Sequence, residues 1–358
     1  MTRCGSAMTC SSTRTRLSRR RLPSSFPPFS PARRRRFMAV YTNVDDAALA
    51  EFLTAYDLGT VLSFAGIAEG VENSNYLLRT DRAHFILTLY EKRVERSDLP
   101  FFIEVMEVLA NSGLNCPLPV PARDGTILQE LAGRPCAIFT FLDGTWSRFP
   151  NKAKCAELGK TLAQMHMNCA PVTRRRPNAL GPHAWLPLLE SIGEKVDVVG
   201  DGMGQAIRQR LGSILTQWPV DLPTGVIHAD LFPNNVLFIG DRLTGVIDFY
   251  FACDDIFAYD LGICLNSWCF EPDGSFNLTK SRAMLKGYQS VRPLSDAEID
   301  AIPTLAAGSA MRFFLTRLYD WIHTPADALV SPKDPMEYWR ILRFHQSVSG
   351  TAAYGIGL

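Results

Sequence analysis

The spacing of apolar positions changes character near residue 143. Before it, short runs rich in β-branched and aromatic residues alternate with glycine and polar turns, the mark of strands. Gly59 to Phe64, Asn75 to Thr80, His84 to Tyr90, Ile127 to Leu131 and Cys136 to Phe141 read as five strands. A turn over Gly66 to Ser74 separates the first two. One helix precedes them, Ala47 to Tyr56, led by Asp45 and Asp46, and one interrupts them, Asp98 to Ala110, with Phe101, Val105, Val108 and Leu109 near one face. After Asp143-Gly144 the period becomes helical. In Asn151 to Asn168 and just beyond, Cys155, Leu158, Leu162, Met165 and Cys169 recur three or four apart. The remainder is mostly helix, broken by apolar runs at Gly225 to His228, Asn235 to Ile239 and Leu243 to Asp248. The pattern predicts an α+β chain of two lobes: a small sheet lobe over 38–140, a helical lobe over 141–350 and a short tail, 351–358. Phe139 to Leu142 would cross between them. A cleft between two lobes is a favoured ligand site.

Residues 1–37 fit neither pattern. They hold ten arginines, no lysine and no acid, and no apolar period, so they have nothing to bury against a core. Two readings stand: an Arg- and Ser-rich organelle transit peptide, or sequence upstream of a true start at Met38, which the folded-looking Met38-Ala-Val-Tyr-Thr favours. Setting those ten arginines aside leaves 27 of the 37 basic residues against 36 acidic, a net charge of −9 in place of the formal +1. So acidic a body has no general attraction for nucleic acid or an anionic membrane. To hold an anionic substrate it must gather positive charge locally or borrow a cation. The richest apolar stretch, Ala301 to Ala310, is closed by Arg312 and is too short to span a bilayer.

The nine cysteines show no C-x-x-C pair, and the six histidines are scattered, so neither a disulfide framework nor a zinc cluster is legible. This fits a reducing, cytoplasmic setting. Val196 to Gly204 superficially resembles a dinucleotide fingerprint, but no βαβ pattern surrounds it, and a glycine-containing turn between helices is the better reading.

The chemistry concentrates in Val226-Ile-His228-Ala-Asp230-Leu-Phe-Pro-Asn-Asn235-Val-Leu-Phe238 and its continuation through Gly240-Asp241 to Asp248. An apolar run leads into His-x-Asp, a four-residue loop follows, and Asn235 opens a strand. A tight turn then returns the chain to Asp248, so Asn235 and Asp248 stand at matching ends of a hairpin. Each residue alone reads as a turn, cap or strand-end group. Together they supply what phosphoryl transfer needs: a carboxylate base near the attacking hydroxyl, Asp230, and a carboxylate and an amide oxygen for Mg²⁺, Asp248 and Asn235. The spacing H-x-D-x-x-x-x-N followed by Ile-Asp-Phe matches the kinase catalytic loop and metal-binding strand. His228 reads as a brace for the loop.

These residues resemble the aminoglycoside phosphotransferase and choline kinase superfamily, which shares the protein-kinase fold, and within it the homoserine kinases of that fold. The resemblance covers about 38–350. It rests on the catalytic strings above and on Gly70-Val-Glu-Asn-Ser-Asn-Tyr76, Phe85-Ile-Leu-Thr-Leu-Tyr-Glu-Lys92, Leu158-Gly-Lys-Thr-Leu-Ala-Gln-Met-His166, Asp248-Phe-Tyr-Phe-Ala252, Tyr259-Asp-Leu261 and Arg312-Phe-Phe-Leu-Thr-Arg317. It implies ATP, Mg²⁺, L-homoserine as acceptor and O-phospho-L-homoserine as product, in threonine biosynthesis. By the same resemblance Asp230 is the catalytic aspartate, Asn235 and Asp248 are metal ligands, and Asp260 braces the catalytic loop. Adenine would bond the crossing at Phe139 and Phe141, and phosphates would meet the turn from Gly70 through Asn73, Ser74 and Asn75. Tyr250, Asp254 and Arg317 are candidate acceptor contacts, chosen as polar residues in these strings.

One position departs from the pattern. Where kinases carry a lysine or arginine on the third strand, the register gives Thr88, and Lys92, four residues on and on the same strand face, is the substitute. Glu104 or Glu107 would pair with it. Two rivals remain: a kinase of another amino alcohol or sugar, such as choline, whose quaternary cation calls for an aromatic cage, and a nucleotide-binding pseudokinase, suggested by Thr88.

Overall fold

The computed structural model describes residues 42–67, 73–91, 94–325 and 331–356. The Arg-rich leader, Gly70 and Lys92 lie outside the described residues. The upper lobe opens with helix α1, Asp46–Leu53, whose N-cap Asp45 side chain accepts the Ala48 amide at 2.7 Å. Strands β1 (Val61–Gly66), β2 (Ser74–Thr80), β3 (His84–Leu89), β4 (Pro119–Val120), β5 (Gln129–Leu131) and β6 (Arg134–Thr140) form one antiparallel sheet. Its order is β1-β2-β3-β6-β4, with β5 also on β6. The two-residue turn Ala132-Gly133, both at positive φ, joins β5 to β6 as a tight hairpin. Alternate residues of β2 and β3 bury Tyr76, Leu78, Leu87 and Leu89 against Leu49 and Tyr56. Helix α2, Leu99–Asn111, covers the other side with Phe101, Phe102, Val105, Met106 and Leu109.

The helical lobe is built on α3 (Lys152–Asn168), α4 (Pro182–Ile192), α5 (Met203–Thr216), α6 (Phe257–Trp268), α7 (Leu278–Gln289), α8 (Asp296–His323) and α9 (Met336–Ser347). Gly159 of α3 and Gly287 of α7 let the two backbones touch, because a Cβ on either would strike the facing carbonyl. The apolar stretch Ala301 to Ala310 is the buried middle of α8, which begins with a capping box of Ser295 and Glu298. Val196 to Gly204 lies between α4 and α5 as a short 3-10 turn and glycines, as its composition suggests.

Four strands complete this lobe: β7 (Thr224–Ile227), β8 (Val236–Ile239), β9 (Arg242–Val246) and β10 (Cys253–Ile256). β8 and β9 form the expected hairpin, while β7 pairs with β10, a strand the apolar pattern does not reveal because Asp254 and Asp255 interrupt it. Likewise β4, two residues long, adds a sixth strand to the five expected above.

The segment between the lobes is fastened to the hairpin. Thr145 exchanges both backbone hydrogen bonds with Phe238, at 3.0 and 2.9 Å, and the Thr244 hydroxyl donates to the Asp143 carbonyl. Gly144, at φ 135°, passes so close to Thr244 and Phe238 that a side chain has no room. Whatever binds at the crossing is thereby indexed to the strands that carry Asn235 and Asp248.

Candidate active site

The loop between β7 and β8 carries Asp230, and nearly every polar group around it has a buried partner. Asp260, wholly buried in the first turn of α6, accepts the His228 amide at 2.8 Å and the Ala229 amide at 3.0 Å. His166 of α3 donates to the same carboxylate from Nε2 at 3.2 Å while Nδ1 accepts from the Tyr288 hydroxyl at 2.8 Å. Burial alone would raise the Asp260 carboxyl, but these bonds and the neighbouring imidazoles hold it below the usual carboxylate range. Burial pushes the His166 imidazole down, against the Asp260 bond and charge, which raise it.

His228 Nδ1 accepts from the Asp230 amide at 3.3 Å, so Nε2 carries the proton and donates to the Ile247 carbonyl at 3.1 Å. Burial lowers its pKa, against the Asp260 charge and the Ile247 carbonyl, which raise it. One ring thus joins the residue before Asp248 to the base itself. Asn235 closes the group: its Nδ2 donates to the Asp230 carbonyl at 2.8 Å and more weakly to Oδ2 at 3.4 Å. Its own carbonyl accepts the Ile247 amide at 3.0 Å. The Asn235 amide is therefore oriented, with Oδ1 facing away from Asp230.

Two residues in this group hold left-handed backbone without being glycine: Ala229 at φ 61° and Asp248 at φ 66°. Such conformations cost roughly 1–3 kcal/mol each and persist only where surroundings over-determine them. For Ala229 the surroundings are explicit. Asp260 takes its amide, and Arg312 of α8, 2% exposed, donates Nη1 to its carbonyl at 2.5 Å. Trp268 Nε1 donates to the carbonyl two residues on, that of Leu231, at 2.8 Å. The sequence flags Arg312 only as the start of a family string. A lone buried arginine after an apolar helical run is the signal that marks it.

The upper face differs. Thr88, buried in β3, donates to Asn75 Oδ1 at 2.8 Å. Tyr250 lies against it, its ring edge-on to Tyr90 and Phe102, and burial first, then the Asp248 charge, pushes its phenol far up. Asn73 Oδ1 accepts the Glu91 amide, and the Ser74 hydroxyl donates to Glu91 Oε1 at 2.7 Å. Those three side chains tie β2 to β3. At the crossing, Phe139 is buried and Phe141 is 40% exposed, its amide on the His84 carbonyl at 3.4 Å. Glu104 takes the Thr173 amide and hydroxyl and Arg174, while its expected partner Lys92 lies outside the described residues.

The three acceptor candidates separate. Tyr250 sits under the upper sheet; Asp254 binds Arg175 and the Arg176 amide. Arg317 donates to Glu337 Oε2 at 2.7 Å and lies over the Tyr338 ring at 4.4 Å, on the Asp230 side of the molecule, where the Asp230 charge reaches the Tyr338 phenol.

Residues 63–294 match the model of the phosphotransferase enzyme family. A solved amicoumacin kinase in complex with AMP-PNP and Ca²⁺ superposes with a TM-score of 0.64 at 16% identity, over 84% of this chain and 92% of that one. Together these define a phosphotransferase of kinase-like fold. A homoserine kinase of Rhizobium rhizogenes is 58% identical over 319 residues, spanning 89% of this chain and 99% of the relative. One of Agrobacterium fabrum is 56% identical over the same shares. The chain belongs to the homoserine kinase family.

Proposed function

We propose that the protein transfers the γ-phosphoryl group of ATP to the hydroxyl of L-homoserine, giving O-phospho-L-homoserine for threonine biosynthesis, with Mg²⁺ and in the cytoplasm. The observation that carries the reading is the bond between Asn235 and Asp230, which makes metal amide and base one rigid unit in a member of this family. Asp230 accepts the hydroxyl proton as the oxygen attacks phosphorus. Asn235 Oδ1 and the Asp248 carboxylate suit a hard cation. Among the described residues no group of three or more His, Cys, Asp or Glu is placed to hold a metal, so phosphate oxygens and water would complete the shell, as Mg²⁺ prefers. Bound there, Mg²⁺ would neutralise the phosphates. Adenine would take the crossing at Phe139 and Phe141, the triphosphate the turn near Gly70 through Asn75, and Lys92 the charge that Thr88 lacks. His228 and Asp260 position the loop. Arg317 remains on the acceptor side; Tyr250 and Asp254 are engaged elsewhere.

In keeping with the cytoplasmic reading, the seven described cysteines are free and buried. No helix of the described residues is long and apolar enough to cross a membrane. The test is ADP release from the purified protein with homoserine, serine, choline and an aminoglycoside. Homoserine should dominate. Faster turnover of another acceptor overturns the substrate, and nucleotide binding without turnover of any returns the pseudokinase reading.

A further inference from the structure

We infer that Tyr250 is a positioning residue: held against the end of β3 and against α2, it fixes the backbone of Asp248 and so aims the carboxylate that would hold the metal. This role rests on the proposed reading of Asp248 as a metal ligand and says what orients that ligand.

Asp248 stands in the left-handed region at φ 66°, a conformation that persists only where its surroundings over-determine it. On its N-terminal side the restraints belong to the lower lobe. The Ile247 amide donates to the Asn235 carbonyl at 3.0 Å, and the Ile247 carbonyl accepts from His228 Nε2 at 3.1 Å. On its C-terminal side the chain makes one 3-10 turn, Phe249–Phe251. The first residue of that turn, Phe249, is buried 5.0 Å from the His228 ring. The second, Tyr250, goes to the upper lobe.

There its ring stands edge-on to Tyr90, next after β3, at 5.3 Å and to Phe102 of α2 at 5.7 Å. Its phenol lies within hydrogen-bonding reach of the Tyr90 and Thr88 hydroxyls. Thr88 extends the contact to β2 through Asn75 Oδ1, 2.8 Å away. A second tie follows directly. The Ala252 carbonyl accepts from Arg176 Nη1 at 3.1 Å, while Arg176 Nε donates to Oδ2 of Asp98, just before α2, at 2.6 Å. The same guanidinium lies over Phe102 at 5.0 Å. Asp248 is therefore a joint, with the residue before it fixed by the catalytic loop and the residues after it fixed by β3 and α2. An aromatic ring with a polar tip suits this place, because it packs between apolar neighbours and still sets a direction through its hydroxyl. It adds no charge beside a carboxylate that a cation must approach.

The test separates metal from acceptor and uses the full chain. Tyr250→Phe keeps the ring and removes the hydroxyl; Thr88→Val removes its partner at nearly constant shape. ADP binding is measured by calorimetry with and without Mg²⁺ and with no acceptor present. Wild type should bind ADP more tightly with Mg²⁺. Each variant should lose about 3–10-fold of that gain, the worth of one neutral hydrogen bond, with metal-free ADP binding unchanged. The double variant should lose no more than Thr88→Val alone, because the two hydroxyls form one contact. Turnover should show the same loss at limiting Mg²⁺, with KM for homoserine unaltered. Additive losses, or metal-free binding that falls as far as the Mg²⁺-dependent binding, would make Tyr250 a packing residue only and overturn the inference. A loss confined to KM for homoserine would assign Tyr250 to the acceptor and overturn it too. Asp248→Asn separates the two readings. If that variant keeps the full Mg²⁺ gain, Asp248 is not the metal ligand and the role of Tyr250 falls with it. If Asp248→Asn abolishes the gain and Tyr250→Phe leaves it whole, the metal reading stands and the positioning role alone is wrong.

Discussion

The catalytic loop and the upper sheet, which Tyr250 joins through Tyr90, are built on opposite principles. Below, a buried carboxylate, an imidazole, an indole and a guanidinium hold backbone groups from His228 to Leu231. Above, Thr88, Asn75 and Tyr250 form an uncharged patch where kinases of this pattern carry a cation. The difference separates two tasks. A base and metal oxygens must be aimed to within fractions of an ångström, which demands buried, fully satisfied partners. Holding a polyphosphate needs only net charge within reach, which a lysine can supply as a point charge.

Breaking the lower side should therefore cost most. Asp230→Asn is expected to cut kcat by about 100–10,000-fold, the range of general-base catalysis, with nucleotide binding nearly intact. A purified variant with wild-type turnover would falsify the role of Asp230. Next comes the clamp on Ala229. Arg312→Met should lower kcat by about 10–100-fold with little change in KM for ATP, because a charged hydrogen bond to a strained peptide is lost. Arg312→Lys should recover part of it; equal losses in kcat and in ATP affinity would mean that the helix, not the loop, has been damaged. If Lys92 holds the phosphates, Lys92→Met should weaken ATP binding or turnover by roughly 1–3 kcal/mol, and Arg93→Met by much less. Equal kinetics in the two variants would assign the phosphates to other groups.

The same contrast explains what was legible. His228, Asp230, Asn235 and Asp248 fall within about twenty residues, so hairpin geometry brings them together from spacing alone. The two-lobed order was legible because strand and helix periods differ. Arg312 was not, because its partner is a backbone carbonyl 83 positions earlier, and a carbonyl has no sequence signature. The bond from His166 to Asp260 spans 94 positions and is equally silent. β10 was hidden because its charged residues are spent on distant partners: Asp254 on Arg175, Asp255 on Asn178. Glu104, read with Glu107 as a partner for Lys92, has further partners that spacing does not reveal. An arginine triplet, Arg174 to Arg176, lies between α3 and α4 and pairs with Glu104, Asp254 and Asp98 in turn.

That triplet yields the smallest effect. Glu104 on α2 accepts from the Thr173 amide and hydroxyl at 2.7 Å each, and from Arg174 at 3.1 and 3.2 Å, joining the upper lobe's helix to the lower lobe. Burial by itself would raise its carboxyl. The bonds from Thr173 and Arg174 outweigh that and bring it from 4.5 to about 2. A carboxyl whose pKa is lower in the folded state releases its proton more readily there, so the unfolded chain binds more protons between the two values. The stabilisation is fully present above about pH 4.5 and is lost as pH falls from there towards 2. The Arg174 side chain is 56% exposed, so solvent screens the pair and the gain is modest. Glu104→Gln should lower the melting temperature near pH 6 by about 1–2 °C, the shift expected from a loss near 1 kcal/mol in a chain this long. The gap between the two proteins should narrow as pH drops through that window, since wild-type Glu104 then becomes neutral as well. A gap constant from pH 6 to pH 3 would show that the contact acts through packing and neutral hydrogen bonds, not through the carboxylate charge.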